Sequence, residues 1–235
     1  MCSSDLYRFG VGTENVDFEY LEKKGIPVYF PGEDAKKVLY DSTANFTLYA
    51  ILSMVYKDAF GDADAWKKKE RDYLGCRRSL VVGTGNIGKR VAERLSILMK
   101  VQTYDILTNR ADELEGLVRS ADIITVHIPL DAATRNFFDG EKLSWMKEDA
   151  IIINTARGEL FDEDALYDKL NSSRCRAFFD VFWEEPYKGK LKGLGREKFF
   201  MTPHSASSTR QFVMEGFKDI LRLIEDLLKK ERDDT

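Results

Sequence analysis

The sequence has no excess of basic side chains, because its 36 lysines and arginines are outnumbered by 40 aspartates and glutamates, for a formal net charge of −4. Proteins that bind nucleic acid neutralise its phosphates with a basic surface, so this balance argues against nucleic acid as the main partner. Long hydrophobic runs are missing too, since stretches such as AIIIN, residues 150–154, fall far short of the roughly 20 residues that span a bilayer. We predict a cytoplasmic protein with neither a nucleic-acid partner nor a membrane partner.

Cysteine and histidine are scarce. The three cysteines, Cys2, Cys76 and Cys175, are far apart in the sequence, a spacing that fits neither a disulfide framework nor a zinc site. We therefore expect reduced, structural cysteines and no metal site. Only two histidines are present, His127 and His204.

From Ser79 onward, the sequence alternates short apolar runs with helical patterns. The apolar runs include SLVVG, DIITVHI, AIIIN and RAFFDV, and the helical patterns include IGKRVAERLSILM and EDALYDKL. In the first helical pattern, Ile87, Val91, Leu95 and Leu98 recur every three or four residues and form one apolar stripe. Such alternation is typical of βαβ units, and it predicts an α/β fold with a Rossmann-type doubly wound parallel sheet.

Further elements are predicted on both sides of this region. Before it, YRFGVG and IPVYF are predicted strands, VDFEYLEKKG is a predicted helix, and a long apolar helix is predicted to begin near Ala44. A polar linker, GDADAWKKKERDYLG, then leads into the sheet. After the sheet, RQFVMEGFKDILRLIEDLLKK is predicted to form one amphipathic helix.

A glycine-rich segment, VVGTGNIGKRV, lies between a predicted strand and a predicted helix. Gly83, Gly85 and Gly88 form the pattern G-x-G-x-x-G. In this pattern the first glycine allows a sharp turn, the second lets a pyrophosphate approach the backbone, and the third lets helix and strand pack closely. The context predicts a dinucleotide site, with a plain tight turn as the alternative.

The next predicted strand, VQTYD, ends in Asp105, 22 positions after Gly83. A carboxylate there accepts hydrogen bonds from the ribose hydroxyls of the cofactor and repels the 2′-phosphate of NADP. We therefore predict NAD as the cofactor. For Asp105 taken alone, a solvated acid at a strand end is the alternative.

Three further stretches place a reactive side chain at a strand end, the edge where open α/β sheets bind ligands. They are INTARGEL with Arg157, FFDVFWEEP with Asp180 and Glu185, and MTPHS with His204. An arginine can hold a carboxylate by two parallel hydrogen bonds, and a carboxylate beside a histidine fixes its tautomer. After a dinucleotide motif, these residues together predict the oxidation of a 2-hydroxy acid. Taken singly, each has a structural alternative as an ion-pair or solvated loop residue.

Five segments in order resemble the successive signatures of the D-isomer-specific 2-hydroxyacid dehydrogenase family: VVGTGNIGKRVAERL, DIITVHIPLDAATRNFF, MKEDAIIINTARGELFDEDAL, FFDVFWEEP and TPHSASST. The resemblance runs from about Arg8 to the C-terminal helix. It implies that Arg157 binds the substrate carboxylate and carbonyl oxygen, that His204 is the general acid/base, and that Glu185 holds His204.

The resemblance also implies further contacts and a partner. Asp180 is similar to the acid that binds the nicotinamide carboxamide, and RFGVGTENVD resembles the loop whose backbone N–H groups, here of Val11 and Gly12, take the substrate carboxylate. The other cofactor-binding residues that it implies are Gly83, Gly85, Asn86, Ile87, Gly88, Asp105, His127, Pro129, Thr134 and Thr155. In this family the long helix packs in a two-fold dimer interface, so we expect a homodimer, with burial of that helix in its own domain as the alternative.

The sequence departs from the family pattern at its beginning, because the family's substrate domain starts well before the GVG loop. We expect a fragment in which residues 1–43 are the remnant of a flavodoxin-like substrate domain. Residues 44–206 are then the NAD-binding domain with its long linking helix, and 207–235 form a helix that returns toward the substrate domain. One reading frame of a common sequencing adapter encodes CSSDL, which favours an artefact within residues 1–6 over an ordinary mobile N-terminus.

Three departures bear on the substrate, and two functions stay open. Thr43 and Asn45 stand where the family often has Val-Ala and an acid, and Glu14 stands where it often has aspartate. The basic stretch YKGKLKGLGREK, residues 187–198, is either a solvated loop or a contact for a charged substrate group.

The chain is either an NAD-dependent enzyme that interconverts a D-2-hydroxy acid and a 2-keto acid, or an NAD-sensing, corepressor-like binding protein of the same fold.

Overall fold

The structure is a computed structural model that describes residues 5–57 and 70–233. Its contacts divide the chain into two units, one formed by Met1–Ser42 with Ser207–Thr235 and the other by Thr43–Ala206. The assignment of 1–43, 44–206 and 207–235 to a substrate domain and an NAD-binding domain stays a prediction. Cys2, most of the proposed artefact, and the predicted polar linker up to residue 69 lie outside the described residues.

The described chain contains strands and helices in alternation. The strands are β1 Leu6–Tyr7, β2 Val28–Tyr29, β3 Arg78–Val82, β4 Lys100–Tyr104, β5 Ile123–Val126, β6 Ile151–Asn154, β7 Arg176–Phe179 and β8 Phe199–Met201. The α-helices are α1 Phe18–Lys23, α2 Glu33–Val55, α3 Asn86–Leu95, α4 Glu113–Ser120, α5 Gly140–Ser144, α6 Glu163–Ser172 and α7 Arg210–Asp233.

The larger unit is built on a parallel sheet with the strand order β4-β3-β5-β6-β7-β8. The chain passes from β3 to β4 on one side and then returns to place β5 on the other side of β3. At such a switch point the carboxyl ends of the strands leave a crevice in which ligands bind. The predicted doubly wound, Rossmann-type sheet is confirmed.

Strands β3, β5, β6 and β7 of this sheet are covered on both faces, which explains their mostly apolar sequences. Along β3, Leu80 and Val82 pack into one buried cluster, whereas Val81 packs into a second. The alternation follows from the two-residue repeat of a strand, which points successive side chains to opposite faces.

Helix α3 covers the second cluster with the predicted stripe, since Val91 and Leu95 have no exposed surface. The helix ends at Leu95, earlier than predicted, and Leu98 contacts the same cluster from the turn before β4. Helix α6 begins at a side-chain cap, because the Asp162 carboxylate accepts a hydrogen bond from the backbone N–H of Ala165 (2.9 Å).

Helix α2 begins at Glu33, and the prediction of a start near Ala44 was wrong. The eleven residues EDAKKVLYDST contain neither glycine nor proline, and Glu33 and Asp34 place negative charge at the positive end of the helix dipole. This first half has only a short apolar stripe, Ala35, Val38 and Leu39, which the polar run Asp41, Ser42 and Thr43 separates from the apolar second half, and so the pattern alone placed the start too late.

The smaller unit contains the paired parallel strands β1 and β2, each of two residues and so shorter than predicted. Its buried apolar cluster consists of Ala35, Leu39 and Phe212. None of the helices within the described ranges is long and apolar enough to cross a membrane. In the same ranges Cys76 and Cys175 are free thiols, and no group of three or more histidine, cysteine or acidic residues is arranged to hold a metal ion.

Candidate active site

The glycine segment forms the turn between β3 and α3 and packs against the residues that follow β5. Gly83 has a φ of 91°, and a Cβ on it would lie 2.7 Å from the backbone carbonyl of His127. A Cβ on Gly88 would lie 1.8 Å from the carbonyl oxygen of Gly83. Packing within the chain therefore requires glycine at both positions.

Gly85 is different, because a Cβ on it would meet no protein atom within 4 Å. It precedes the first residues of α3, Asn86 and Ile87, and no side chain caps the helix there. The first N–H groups of a helix lack acceptors within the helix and lie at its positive end, so they suit an anion. The pyrophosphate of a dinucleotide fits this turn, because it needs a bare backbone and N–H donors.

Asp105 directly follows β4, whose Tyr104 lies beside Val82 of β3 in the sheet. Its Oδ2 accepts hydrogen bonds from the backbone N–H of Thr84 (2.7 Å) and from the Thr84 hydroxyl (2.8 Å). Its Oδ1 accepts one from the backbone N–H of Leu107 (3.0 Å). The backbone donors of Thr84 and Leu107 lower the pKa of Asp105, which keeps the carboxylate ionised at neutral pH beside the glycine turn.

His127 and Thr134 hold the segment after β5. Nε2 of His127 lies 2.9 Å from Oγ1 of Thr125, and burial lowers the pKa of His127 to about 3, so its imidazole is neutral at physiological pH. The Thr134 hydroxyl is buried and donates to the carbonyl oxygen of Pro129 (2.7 Å). Contacts from His127, Pro129 and Thr134 to the cofactor stay predictions.

Thr155, at the end of β6, is buried and joins this strand to helix α2. Its Oγ1 lies 2.9 Å from Oγ1 of Thr47, and the Thr47 hydroxyl donates to the carbonyl oxygen of Thr43 (2.8 Å). The Thr155 hydroxyl is therefore the donor to Thr47. Its predicted contact to the cofactor stays a prediction.

Arg157 lies in a loop after β6 that is fixed from two sides. The Asn154 side chain donates to the carbonyl oxygen of Arg157 (2.7 Å) and accepts from the backbone N–H of Ala156 (3.0 Å). A Cβ on Gly158 would lie 2.3 Å from the backbone of Phe182, so the loop closes only on glycine. The guanidinium of Arg157 is half-buried and donates to the carbonyl oxygen of Ala156 (2.6 Å).

Asp180 directly follows β7 and has no exposed surface. Its carboxylate accepts hydrogen bonds from the Thr202 hydroxyl (2.6 Å) and from the backbone N–H groups of Ser205 and Ala206 (2.8 Å each). Burial raises the pKa of Asp180, and the hydrogen bonds act in the opposite direction. The carboxylate thus fastens the loop that carries His204, a role that the sequence did not indicate, while its contact to nicotinamide stays a prediction.

The structure brings His204 and Glu185 together. Nδ1 of His204 lies 2.9 Å from Oε2 of Glu185, and Oε1 of Glu185 accepts from the backbone N–H of Phe182 (3.2 Å). The backbone of His204 is left-handed, with a φ of 50°, and its N–H donates to the carbonyl oxygen of Asp180 (2.9 Å). Because Nδ1 faces the carboxylate, Nε2 is the ring nitrogen left for a substrate.

A cavity of about 420 Å³ opens beside this pair. Its lining consists of Phe182, Glu185, Pro186, Tyr187, Met201, Thr202, Pro203 and His204. Part of the basic stretch 187–198 is anchored to helix α6, since the Tyr187 hydroxyl donates to Glu163 (2.6 Å) and Lys190 forms an ion pair with Asp164. The basic side chains Lys188, Lys190, Lys192 and Arg196 are nevertheless exposed, as the solvated-loop alternative predicts, and a contact to a charged substrate group stays a prediction.

Val11 and Gly12 lie in the smaller unit. Val11 is exposed, and the carbonyl oxygen of Gly12 accepts a hydrogen bond from Nε of Arg8. Their predicted role as backbone donors to a substrate carboxylate stays a prediction.

A sequence profile of the D-isomer specific 2-hydroxyacid dehydrogenase NAD-binding domain matches residues 47–206. The chain belongs to this family. It is 35% identical over 221 residues to a hydroxypyruvate reductase of Thermotoga maritima, a match that covers 87% of this chain and 71% of the relative. It is 32% identical over 238 residues to a D-3-phosphoglycerate dehydrogenase of Methanocaldococcus jannaschii, covering 92% of this chain but 45% of the relative.

Solved structures give the same result for the fold of this dehydrogenase. A D-lactate dehydrogenase of Aquifex aeolicus, in complex with NAD and lactic acid, matches with a TM-score of 0.79 at 24% identity, over 98% of this chain and 76% of that one. The TT0316 protein of Thermus thermophilus matches with a TM-score of 0.73 at 30% identity, over 89% of this chain and 70% of that one. The predicted family, fold and NAD cofactor are confirmed.

Proposed function

We propose that this dehydrogenase chain interconverts a small D-2-hydroxy acid and its 2-keto acid by NAD-dependent hydride transfer. The observation that carries the proposal is the hydrogen bond between His204 and Glu185, which follow strands of the same parallel sheet as the glycine turn. The names of relatives, among them a hydroxypyruvate reductase, a glyoxylate reductase and a sulfolactate dehydrogenase, support this substrate class.

Each side chain has one task in this proposal. When bound, the nicotinamide supplies a hydride to the keto acid or accepts one from the hydroxy acid. In the reduction direction His204 donates a proton from Nε2 to the carbonyl oxygen, where negative charge develops, and Glu185 stabilises the protonated imidazole at Nδ1. Arg157 binds the substrate carboxylate with its planar guanidinium and adds positive charge beside the same oxygen.

The cofactor is held at the switch point of the sheet. The backbone of Gly83–Gly88 takes the pyrophosphate, and Asp105 accepts hydrogen bonds from the adenosine ribose and repels the 2′-phosphate of NADP. We expect tighter binding of NADH than of NADPH by about tenfold or more, since an unpaired buried charge costs about 1–3 kcal/mol. A cytoplasmic location and the absence of nucleic-acid and membrane partners are part of the same proposal.

The enzyme is favoured over a corepressor-like binding protein, because the relatives carry the names of reductases and dehydrogenases. The test is steady-state oxidation of NADH with a panel of 2-keto acids, in which glyoxylate, hydroxypyruvate and pyruvate vary the side chain. Because the chain spans 71% of the Thermotoga relative, a chimera that adds the part of that relative outside the match is assayed beside it. NADH binding with no turnover in either protein, on any of these acids, would favour the binding protein.

The homodimer is proposed to form through an aromatic surface of the larger unit. Tyr49 of α2 is 56% exposed, and it contacts Phe178, which stacks on Phe200 with ring centroids 5.7 Å apart. Phe178 is itself fully buried, so Tyr49 is the exposed aromatic side chain of this group, and tyrosine is a residue type enriched at interfaces. Light scattering at micromolar concentration should give the mass of a dimer, and Tyr49→Lys should shift it toward the monomer. A monomeric wild type would contradict the proposal.

A further inference from the structure

Thr84 occupies the first variable position of the glycine pattern and has a hydroxyl that the pattern does not require. It binds the Asp105 carboxylate twice, because its backbone N–H and its hydroxyl both donate to Oδ2, at 2.7 Å and 2.8 Å. Both residues are partly buried. Hydrogen bonds to an ionised group are shorter and stronger than those between neutral groups, so this pair is a firm contact.

The two donors leave the carboxylate with a defined orientation. An ionised carboxylate has about four acceptor positions, and Thr84 occupies two of them on Oδ2. The backbone N–H of Leu107 occupies one on Oδ1 (3.0 Å). Oδ1 is therefore the oxygen that keeps acceptor capacity for another donor.

The hydroxyl adds something that the backbone donor alone does not supply. Without the hydroxyl, Oδ2 keeps the Thr84 N–H and Oδ1 keeps the Leu107 N–H; the hydroxyl adds a third hydrogen bond that fills the second acceptor position of Oδ2 and tightens the hold on the carboxylate. The nearby amide of Asn109 is engaged elsewhere, since its Oδ1 accepts from the backbone N–H of Asp105 (2.9 Å) and its Nδ2 donates to Glu113 (2.7 Å). The orientation of the carboxylate is thus set by Thr84 and Leu107.

We propose that Thr84 is a specificity-determining residue of the cofactor site: its hydroxyl fixes the Asp105 carboxylate so that the remaining acceptor position of Oδ1 faces a ribose hydroxyl. The fixed carboxylate cannot turn away from a 2′-phosphate, so the same contact that helps NADH to bind also excludes NADPH. This inference rests on the proposed function, in which Asp105 contacts the adenosine ribose. Thr84 acts through Asp105 and is a positioning residue.

The test is to titrate NADH and NADPH separately into the chain and to follow the fluorescence of the nicotinamide. Thr84→Val keeps the branched shape and the backbone donor but loses the hydroxyl. We expect it to weaken NADH by about three- to tenfold, to leave NADPH unchanged or tighter, and so to lower the preference for NADH. Thr84→Ser keeps the hydroxyl and should stay close to wild type. Thr108→Val is the matched control, because the exposed Thr108 hydroxyl contacts Asn109 (3.4 Å) and not the carboxylate.

Asp105→Ala and the double variant Thr84→Val with Asp105→Ala complete a double-mutant cycle. If Thr84 acts through Asp105, its substitution has no further effect on the NADH-to-NADPH preference once the carboxylate is gone. If Asp105→Ala lowers the preference but Thr84→Val does not, this inference is overturned and the proposed function stands. If Asp105→Ala leaves the preference unchanged, Asp105 does not contact the ribose, and that part of the proposed function is wrong. Should Thr84→Val not fold, the comparison of Thr84→Ala with Thr84→Ser decides in its place.

Discussion

His204 and Glu185 are 19 positions apart in the sequence, yet Nδ1 of the histidine lies 2.9 Å from the carboxylate. The contact is made although His204 has a left-handed backbone, which costs about 1–3 kcal/mol for a residue other than glycine. Three hydrogen bonds from the loop to Asp180 hold this conformation, from Thr202, Ser205 and Ala206. Strain of this kind is typical of functional sites, where the surrounding structure enforces it.

Replacing His204 tests its role as the proton donor. His204→Ala should lower the turnover of 2-keto acids by about 10²- to 10⁴-fold at neutral pH, because the developing negative charge loses its general acid. NADH binding should stay near the wild-type value, because the residues proposed to hold the cofactor are unchanged. The measurements are steady-state kinetics and an NADH fluorescence titration on the same protein.

Glu185→Gln is the companion variant of this experiment. The amide does not stabilise the protonated imidazole, so Glu185→Gln should lower turnover at neutral pH while NADH binding stays near the wild-type value. Wild-type turnover in His204→Ala would rule out the proton-donor role and would strengthen the corepressor-like alternative.

Arg157 should behave differently from His204. Its guanidinium is proposed to bind the substrate carboxylate in the ground state as well as the transition state, so Arg157→Ala should raise KM and lower kcat together. Arg157→Lys should recover little, because an ammonium lacks the two-pronged geometry. An Arg157→Ala enzyme with a normal KM would show that another residue binds the carboxylate.

Much of the fold was predictable because the central strands of the sheet are covered on both faces, and strands such as β3, β5 and β6 are mostly apolar. The apolar pattern misplaced one end of each of two helices. The short apolar stripe in the first half of α2 is separated from the second half by a polar run, so the start at Glu33 was missed, and the stripe of α3 extends to Leu98 although the helix ends at Leu95.

The motifs placed the candidate site residues correctly at strand ends, but they did not reveal what holds those residues. Thr84 binds a carboxylate 21 positions away, and Asp180 binds backbone N–H groups 25 and 26 positions away. Such long-range hydrogen bonds depend on strand register and loop path, which periodicity does not determine. The only sequence signal for Thr84 was its hydroxyl, at a position of the glycine pattern that any residue can occupy.

Asp180 should make stability depend on pH in a recognisable way. Burial raises its pKa in the folded state above the unfolded value of about 3.9, so folding takes up a proton there as the pH falls. The stability of the wild type relative to Asp180→Asn should therefore increase as the pH is lowered from 7 toward the unfolded pKa, and then level off. Urea denaturation across this pH range gives the free energy of unfolding of both proteins. The difference between the two values cancels the contributions of the other carboxylates. If the difference does not vary with pH, Asp180 has the same pKa in the folded and the unfolded state.

Two glycines of the same turn offer a matched pair that separates cofactor binding from folding. A Cβ on Gly88 would lie 1.8 Å from the carbonyl oxygen of Gly83, so Gly88→Ala must push helix and strand apart. We expect it to destabilise the fold by about 1–3 kcal/mol or more, seen as a lower thermal midpoint with or without NADH.

A Cβ on Gly85 would meet no protein atom within 4 Å, and its φ of −66° is open to any residue. Gly85→Ala should therefore leave the thermal midpoint of the protein alone unchanged or slightly raised, because alanine lowers the entropy of the unfolded chain. The same methyl group would stand where the pyrophosphate is proposed to approach the backbone, so NADH affinity should fall by about tenfold or more. The decisive quantity is the rise in midpoint that NADH produces: it should be clearly smaller in Gly85→Ala than in wild type at the same NADH concentration. A Gly85→Ala protein that NADH stabilises as strongly as wild type would place the pyrophosphate elsewhere.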